Sequence, residues 1–245
     1  MKRKMFMALL ICVMTLTAAW ADVGDYVLKD GKVYRVDGGK EKLLEDEEPQ
    51  RAGTEAGLFS WILVDSELSE EMKGSKPGIY FFLGDDEKPF GFLPFKNAAA
   101  CMLEFSLSGE KLLVSCGEEV KQDLSLYFID LEKKSFEKKA SFNSAGHCFW
   151  VDPHRFIFTS IDVEKGPRTK GGDDWQCSPA LYDTEFEELT ILKKATDTVD
   201  YIIIGCDHDE GTLDINESSV KDMKDWSDSD KIEYKEMTIP IPAAG

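Results

Sequence analysis

Short apolar runs, most of them five or six residues long, alternate with polar turn segments along nearly the whole chain. They include KVYRV, GIYFFL, FGFLPF, CMLEFS, KLLVSC, LSLYFI, HCFWV, FIFTSI, DYIIIG and EMTIPI. Aromatic and β-branched side chains, which fit a pleated surface, dominate them, and Gly, Asp, Asn, Ser or Pro separates many. The i, i+3, i+4 spacing of an amphipathic helix is almost absent. The pattern predicts an all-β chain.

Aligning the turns brings out a repeat. VYRVDGGKEKLL, IYFFLGDDEKPFGFL, LYFIDLEKKSFEKK and ALYDTEFEELTIL each read as aromatic strand, polar turn and second strand. With Asp37, Leu83, Asp130 and Asp183 as equivalent positions, the steps are 46, 47 and 53 residues. The longer last step holds EKGPRTKGGDDWQ, whose Gly, Pro and charge predict an extended loop. Another hairpin precedes the third and fourth copies, turning at Ser108 and Gly109 in one and at Pro153 and His154 in the other.

Four strands per unit of about 45 residues is the signature of a β-propeller blade. FSLSGEKLLVS followed by LYFIDLEKKSFEKK resembles the hairpin pair of WD-type and quinoprotein-type propeller repeats. The likeness is clearest over 100–192, weaker over 26–95, and lacks the Trp-Asp and Gly-His signatures. It implies a small β-propeller of about five blades, with a β-sandwich and an open partial propeller as alternatives. Residues 230–242 are expected to pair with the N-terminal YVLKDGKVYRV and close the ring, since closure removes exposed strand edges. The acidic stretch 41–57 reads as a loop.

The N-terminus changes the picture. Lys2, Arg3 and Lys4 precede an apolar run from Met5 to Met14, and Ala19, Trp20 and Ala21 offer a small-residue cleavage pattern. Residues 1–21 are therefore read as a signal peptide cleaved after Ala21, and 22–245 as a single all-β propeller-like domain, secreted or periplasmic. The apolar run is too short for a membrane span. Without the leader the chain carries 26 basic and 47 acidic residues, a net charge of −21. Such a field repels phosphate backbones and excludes nucleic acid as a partner.

Five cysteines follow the leader, an odd number that leaves a thiol over in an oxidising compartment. Cys101 and Cys116 are equidistant from the turn at Ser108 and Gly109, so a two-residue hairpin would set them opposite one another, within reach of a disulfide. A four-residue loop is expected to spoil that register. A Cys148–Cys177 bridge is the alternative. No metal or cofactor site is expected. CDHDEG at 206–211 fails the EF-hand register, with Gly211 at its fifth position and Ser218 at its twelfth, and reads as a hairpin turn. His147, Cys148, Cys206 and His208 lack zinc-ligand spacing.

None of the recurrent catalytic motifs occurs: no G-x-S-x-G elbow, H-E-x-x-H helix, phosphate loop or dinucleotide fingerprint. The sequence points to an exported, non-catalytic binding module for a protein, peptide or glycan, recognising it through rim loops. Trp175 with Asp173 and Asp174, and Trp226, are the candidate binding residues, because these indoles sit in polar, turn-rich segments. The alternative, implied by the propeller resemblance, is a glycan hydrolase acting through two central carboxylates.

Overall fold

Strand runs that are apolar without interruption must be covered on both faces, and the fold meets that demand by stacking sheets. The computed structural model describes residues 26–44, 48–65, 76–118, 121–168 and 175–243; the leader lies outside them. Among the described residues the strands are Tyr26–Lys29 (β1), Lys32–Asp37 (β2), Lys40–Leu43 (β3), Gln50–Thr54 (β4), Gly57–Val64 (β5), Gly78–Leu83 (β6) and Gly91–Pro94 (β7). Then come Cys101–Phe105 (β8), Lys111–Glu118 (β9), Lys121–Asp130 (β10), Ser135–Trp150 (β11), Arg155–Ile161 (β12), Cys177–Asp183 (β13) and Glu188–Ile191 (β14). Val199–Asp207 (β15), Thr212–Ser219 (β16) and Glu233–Pro240 (β17) complete the set. Among the described residues helix is confined to 3-10 turns at Ala98–Ala100, Met223–Ser227 and Ser229–Lys231. The chain is all-β.

Every sheet is an antiparallel meander in chain order: β1 to β3, β4 to β7, β8 to β14, and β15 to β17. The seven-stranded sheet bends within β11. The register shifts between Ala145 and Cys148, next to Gly146 at φ +65°, so the first part of β11 pairs with β10 and its last part with β12. The two halves thereby become separate layers, with Leu113, Leu124 and Leu126 of one packed against Trp150, Phe156 and Phe158 of the other.

Five layers follow one another, with a core between each consecutive pair. Period-two alternation shows how a single strand serves two cores. In β5 and β6, Phe59, Trp61, Ile79 and Phe81 enter the core shared with β8 and β9, while Ile62, Val64, Tyr80 and Phe82 meet Tyr26 and Val33 of the first sheet. In β12, Phe156 and Phe158 face back, and Ile157 faces forward to Tyr201, Ile203, Leu213 and Ile215 of the last sheet. Each such side chain contributes about 1.5–3 kcal/mol on burial.

An aspartate closes the repeated turns. Asp130 accepts from the Lys133 amide at 2.8 Å, Asp183 from the Glu185 amide at 2.8 Å, and Asp207 from the Glu210 amide at 2.9 Å. Each starts a four-residue loop whose last residue, Lys134, Glu187 or Gly211, has positive φ. CDHDEG is thus a hairpin turn, between Asp207 and Thr212.

Three expectations are corrected. The 41–57 segment contributes β3, β4 and the start of β5 rather than a loop. β17 pairs along its length with β16, and β1 pairs with β2, so the 230–242 segment and the N-terminal strands form separate sheets and no sheet closes on itself. The hairpin between β8 and β9 has four loop residues, Leu107 to Glu110, yet Cys101 stays opposite Cys116 and is joined to it by a disulfide. An even-numbered loop centred on the same point leaves the register unchanged. Gly109 at φ +77° and the Ser106 hydroxyl, accepting from the Lys111 amide at 3.1 Å, shape that loop.

Candidate functional site

The two indoles singled out in the sequence turn toward protein. Trp226 lies in the 3-10 turn Met223–Ser227, is 8% exposed, and donates its indole N–H to the Asp197 carbonyl at 2.9 Å. The Arg168 guanidinium stacks 4.1 Å from the centre of its ring. That guanidinium is ion-paired with Asp200 and donates to the Trp175 carbonyl at 2.7 Å, while Asp200 also accepts from the Cys177 amide at 2.9 Å. Trp175 packs against Ala145, Ile161 and Cys177, with the Lys121 ammonium 4.9 Å from its ring centre. These contacts fasten Arg168 and Trp175 to Asp200 of the last sheet and to Trp226 beside it. Asp173 and Asp174 lie outside the described residues.

A second group forms where β8, β11 and β15 adjoin. The Trp150 indole on β11 donates to the Glu104 carbonyl on β8 at 3.1 Å. Burial raises the Glu104 carboxyl above its ordinary range, and the charge of His208 opposes that shift. Cys148 is pushed up to about 12 by burial, with the Glu104 charge adding to the effect. A thiol held that far from ionisation is no nucleophile at neutral pH. Cys148 and Cys206 are free thiols. Among the described residues, no three His, Cys, Asp or Glu side chains converge as metal ligands.

The open surface is elsewhere, at the β13–β14 hairpin. Phe186, at its tip, is 72% exposed, and Leu189 and Ile191 on β14 are each 43% exposed. The Asp183 carboxylate accepts from both the Glu185 and Phe186 amides, which fixes the tip with its phenyl ring outward. Beside it opens a cavity of about 390 Å³, lined by Leu181, Asp183, Phe186, Glu188, Thr190 and neighbouring residues. Arg155 also lines it, but its guanidinium is engaged by the Asp152 carboxylate at 2.6 Å and the Pro242 carbonyl at 2.7 Å. Phe186 was visible in the sequence as the one aromatic residue within DTEFEE. Its place in a repeat of aromatic strands conceals it, because strand aromatics there read as core.

No protein-family model matches the chain, and no curated protein matches it. Solved structures similar to it include an uncharacterized protein from Listeria monocytogenes EGD-e, at 14% identity and a TM-score of 0.38 over 81% of this chain. A protein from Lactobacillus plantarum aligns with 85% of the chain at 13% identity and a TM-score of 0.41. Prolyl oligopeptidase B from Galerina marginata aligns with 81% at 12% identity and a TM-score of 0.39. The chain spans 56%, 65% and 28% of the lengths of these three structures, respectively.

Proposed function

We propose that the protein is an exported, non-catalytic binding module on a small propeller-like scaffold, and that its ligand is a protein or peptide. Phe186 carries this proposal. A large apolar side chain held outward by a hydrogen-bonded turn, next to an open cavity, is exposed apolar surface of the kind that marks interaction sites. The stack of five layers in chain order supports the propeller-like reading, and the leader-like N-terminus supports export. Scaffold and recognition are then divided in the usual way, with stacked strands supplying rigidity and a hairpin supplying contact.

The test pairs cross-linking of the exported protein fraction with direct affinity measurements on each captured partner and a hydrolysis screen over a glycan panel. A partner that binds the purified chain and loses affinity to the Phe186→Ala variant is the expected result. Turnover of any glycan overturns it in favour of the hydrolase.

A further inference from the structure

We infer that β14 is an acceptor edge to which an extended, alternating apolar and basic segment of a partner protein adds as a further strand; this rests on the binding-module proposal and specifies its partner. β14 ends the seven-stranded sheet, and among the described residues no strand pairs with its outer side. The Leu192 amide donates to the Pro179 carbonyl across the β13–β14 ladder at 2.8 Å. Hydrogen-bonding direction alternates along an antiparallel strand, so Thr190 and Glu188 also turn their backbone groups toward β13. Leu189 and Ile191 therefore present their amides and carbonyls to the open edge, where strand addition supplies partners for them.

The two faces of this edge specify what an added strand carries. Tyr182 pairs with Leu189 and Ala180 with Ile191, so one face continues as half-exposed aliphatic surface and suits aliphatic or aromatic residues. Leu181 pairs with Thr190 and Asp183 with Glu188, and this opposite face borders the cavity. Asp183 and Glu188 bring two carboxylates to it, Glu185 and Glu187 stand in the adjoining turn, and the Arg155 charge is already met by Asp152. A Lys or Arg side chain projecting from alternate positions of the added strand enters that cavity with charge complementarity. Lys193, beyond the strand, is turned away to Glu217 and Met237. The edge also lacks the central Lys or Pro with which exposed strands are usually protected.

The experiment pans the purified full chain against a phage-displayed library of random dodecapeptides and measures the enriched sequences as synthetic peptides by fluorescence polarisation. Enriched peptides are expected to alternate apolar with basic residues, to lack internal proline, and to bind Leu189→Pro about tenfold more weakly or worse. That variant removes one outward amide and leaves the net charge unchanged, which separates strand addition from general attraction to an acidic protein. Glu188→Lys leaves the backbone intact and is expected to weaken the same peptides, so the result does not depend on how well the proline variant folds. Enriched peptides that bind both variants as tightly as the parent overturn strand addition while leaving the binding module standing. No enrichment over a chain-free control overturns both. A dimer trapped by disulfide formation in Thr190→Cys shows a second copy on the edge and also overturns the assignment of a basic partner.

Discussion

Arg168 lies over the Trp226 ring, with the guanidinium carbon 4.1 Å from the ring centre, and the same guanidinium is ion-paired with Asp200. Both members of the ion pair are buried, so truncating one leaves the other charged in a medium that solvates it poorly. Asp200→Ala is therefore expected to destabilise the fold by about 3–5 kcal/mol. Replacing Arg168 and Asp200 together by Met and Leu is expected to cost much less. Urea titrations of Arg168→Met, Asp200→Leu and the double variant check this through the coupling energy. Additive losses would show that the two charges act independently.

The Cys101–Cys116 bridge closes a 15-residue separation between neighbouring strands. Closing a loop of that size in the unfolded chain is worth about 3 kcal/mol in the chain-entropy account. Cys101→Ser with Cys116→Ser is expected to lose about that much, read as a lower midpoint in urea without a change of overall sheet content. Dithiothreitol is expected to produce the same shift in the parent protein and none in the double variant.

How much of this was legible follows from what each side chain had to satisfy. The all-β class and the four aligned hairpins were readable because period-two runs and turn residues are local. GIYFFL was readable as a strand, and in the fold its Tyr80 and Phe81 enter different cores. The pairing of β17 with β16 was not readable, since its alternating pattern suits any neighbouring edge and only the short connection through 220–232 selects this one. The partners of Trp226 were not readable for a related reason. A polar, turn-rich segment surrounds it in sequence, but its partners Arg168 and Asp197 lie 58 and 29 residues away. Phe186 was hidden by the opposite effect, an apolar residue in a strand-rich repeat that the turn geometry at Asp183 points outward.

Cys148, a half-buried thiol, offers a chemical measure of its surroundings. Its pKa is raised from 9.0 to about 12, chiefly by burial. At pH 8 the thiolate is scarce, so iodoacetamide is expected to modify the half-buried Cys148 much more slowly in the native protein than in denaturant. Peptide mass spectrometry distinguishes it from Cys177 and Cys206. The stability linkage has a definite sign. An acid whose folded pKa is raised keeps its full contribution below the unfolded value, here about 9, and loses it as pH climbs toward 12. Thermal melts of Cys148→Ala and the parent should therefore converge as pH rises from 8 to 11, with the parent losing more.

Glu104 carries the same linkage into the acid range. Burial raises its pKa above the ordinary 4.5, so the native state holds the proton more tightly than the unfolded chain does. Its contribution is complete below about pH 4 and falls away as the carboxyl ionises, leaving a partly desolvated charge at neutral pH. Glu104→Gln keeps the shape and removes that charge. The variant is expected to melt higher than the parent at pH 7, by less than about 1 kcal/mol because the side chain retains contact with water, and to match it near pH 3.5. A Glu104→Gln variant that is less stable than the parent at pH 7 would show that the carboxylate makes a favourable contact outweighing its desolvation.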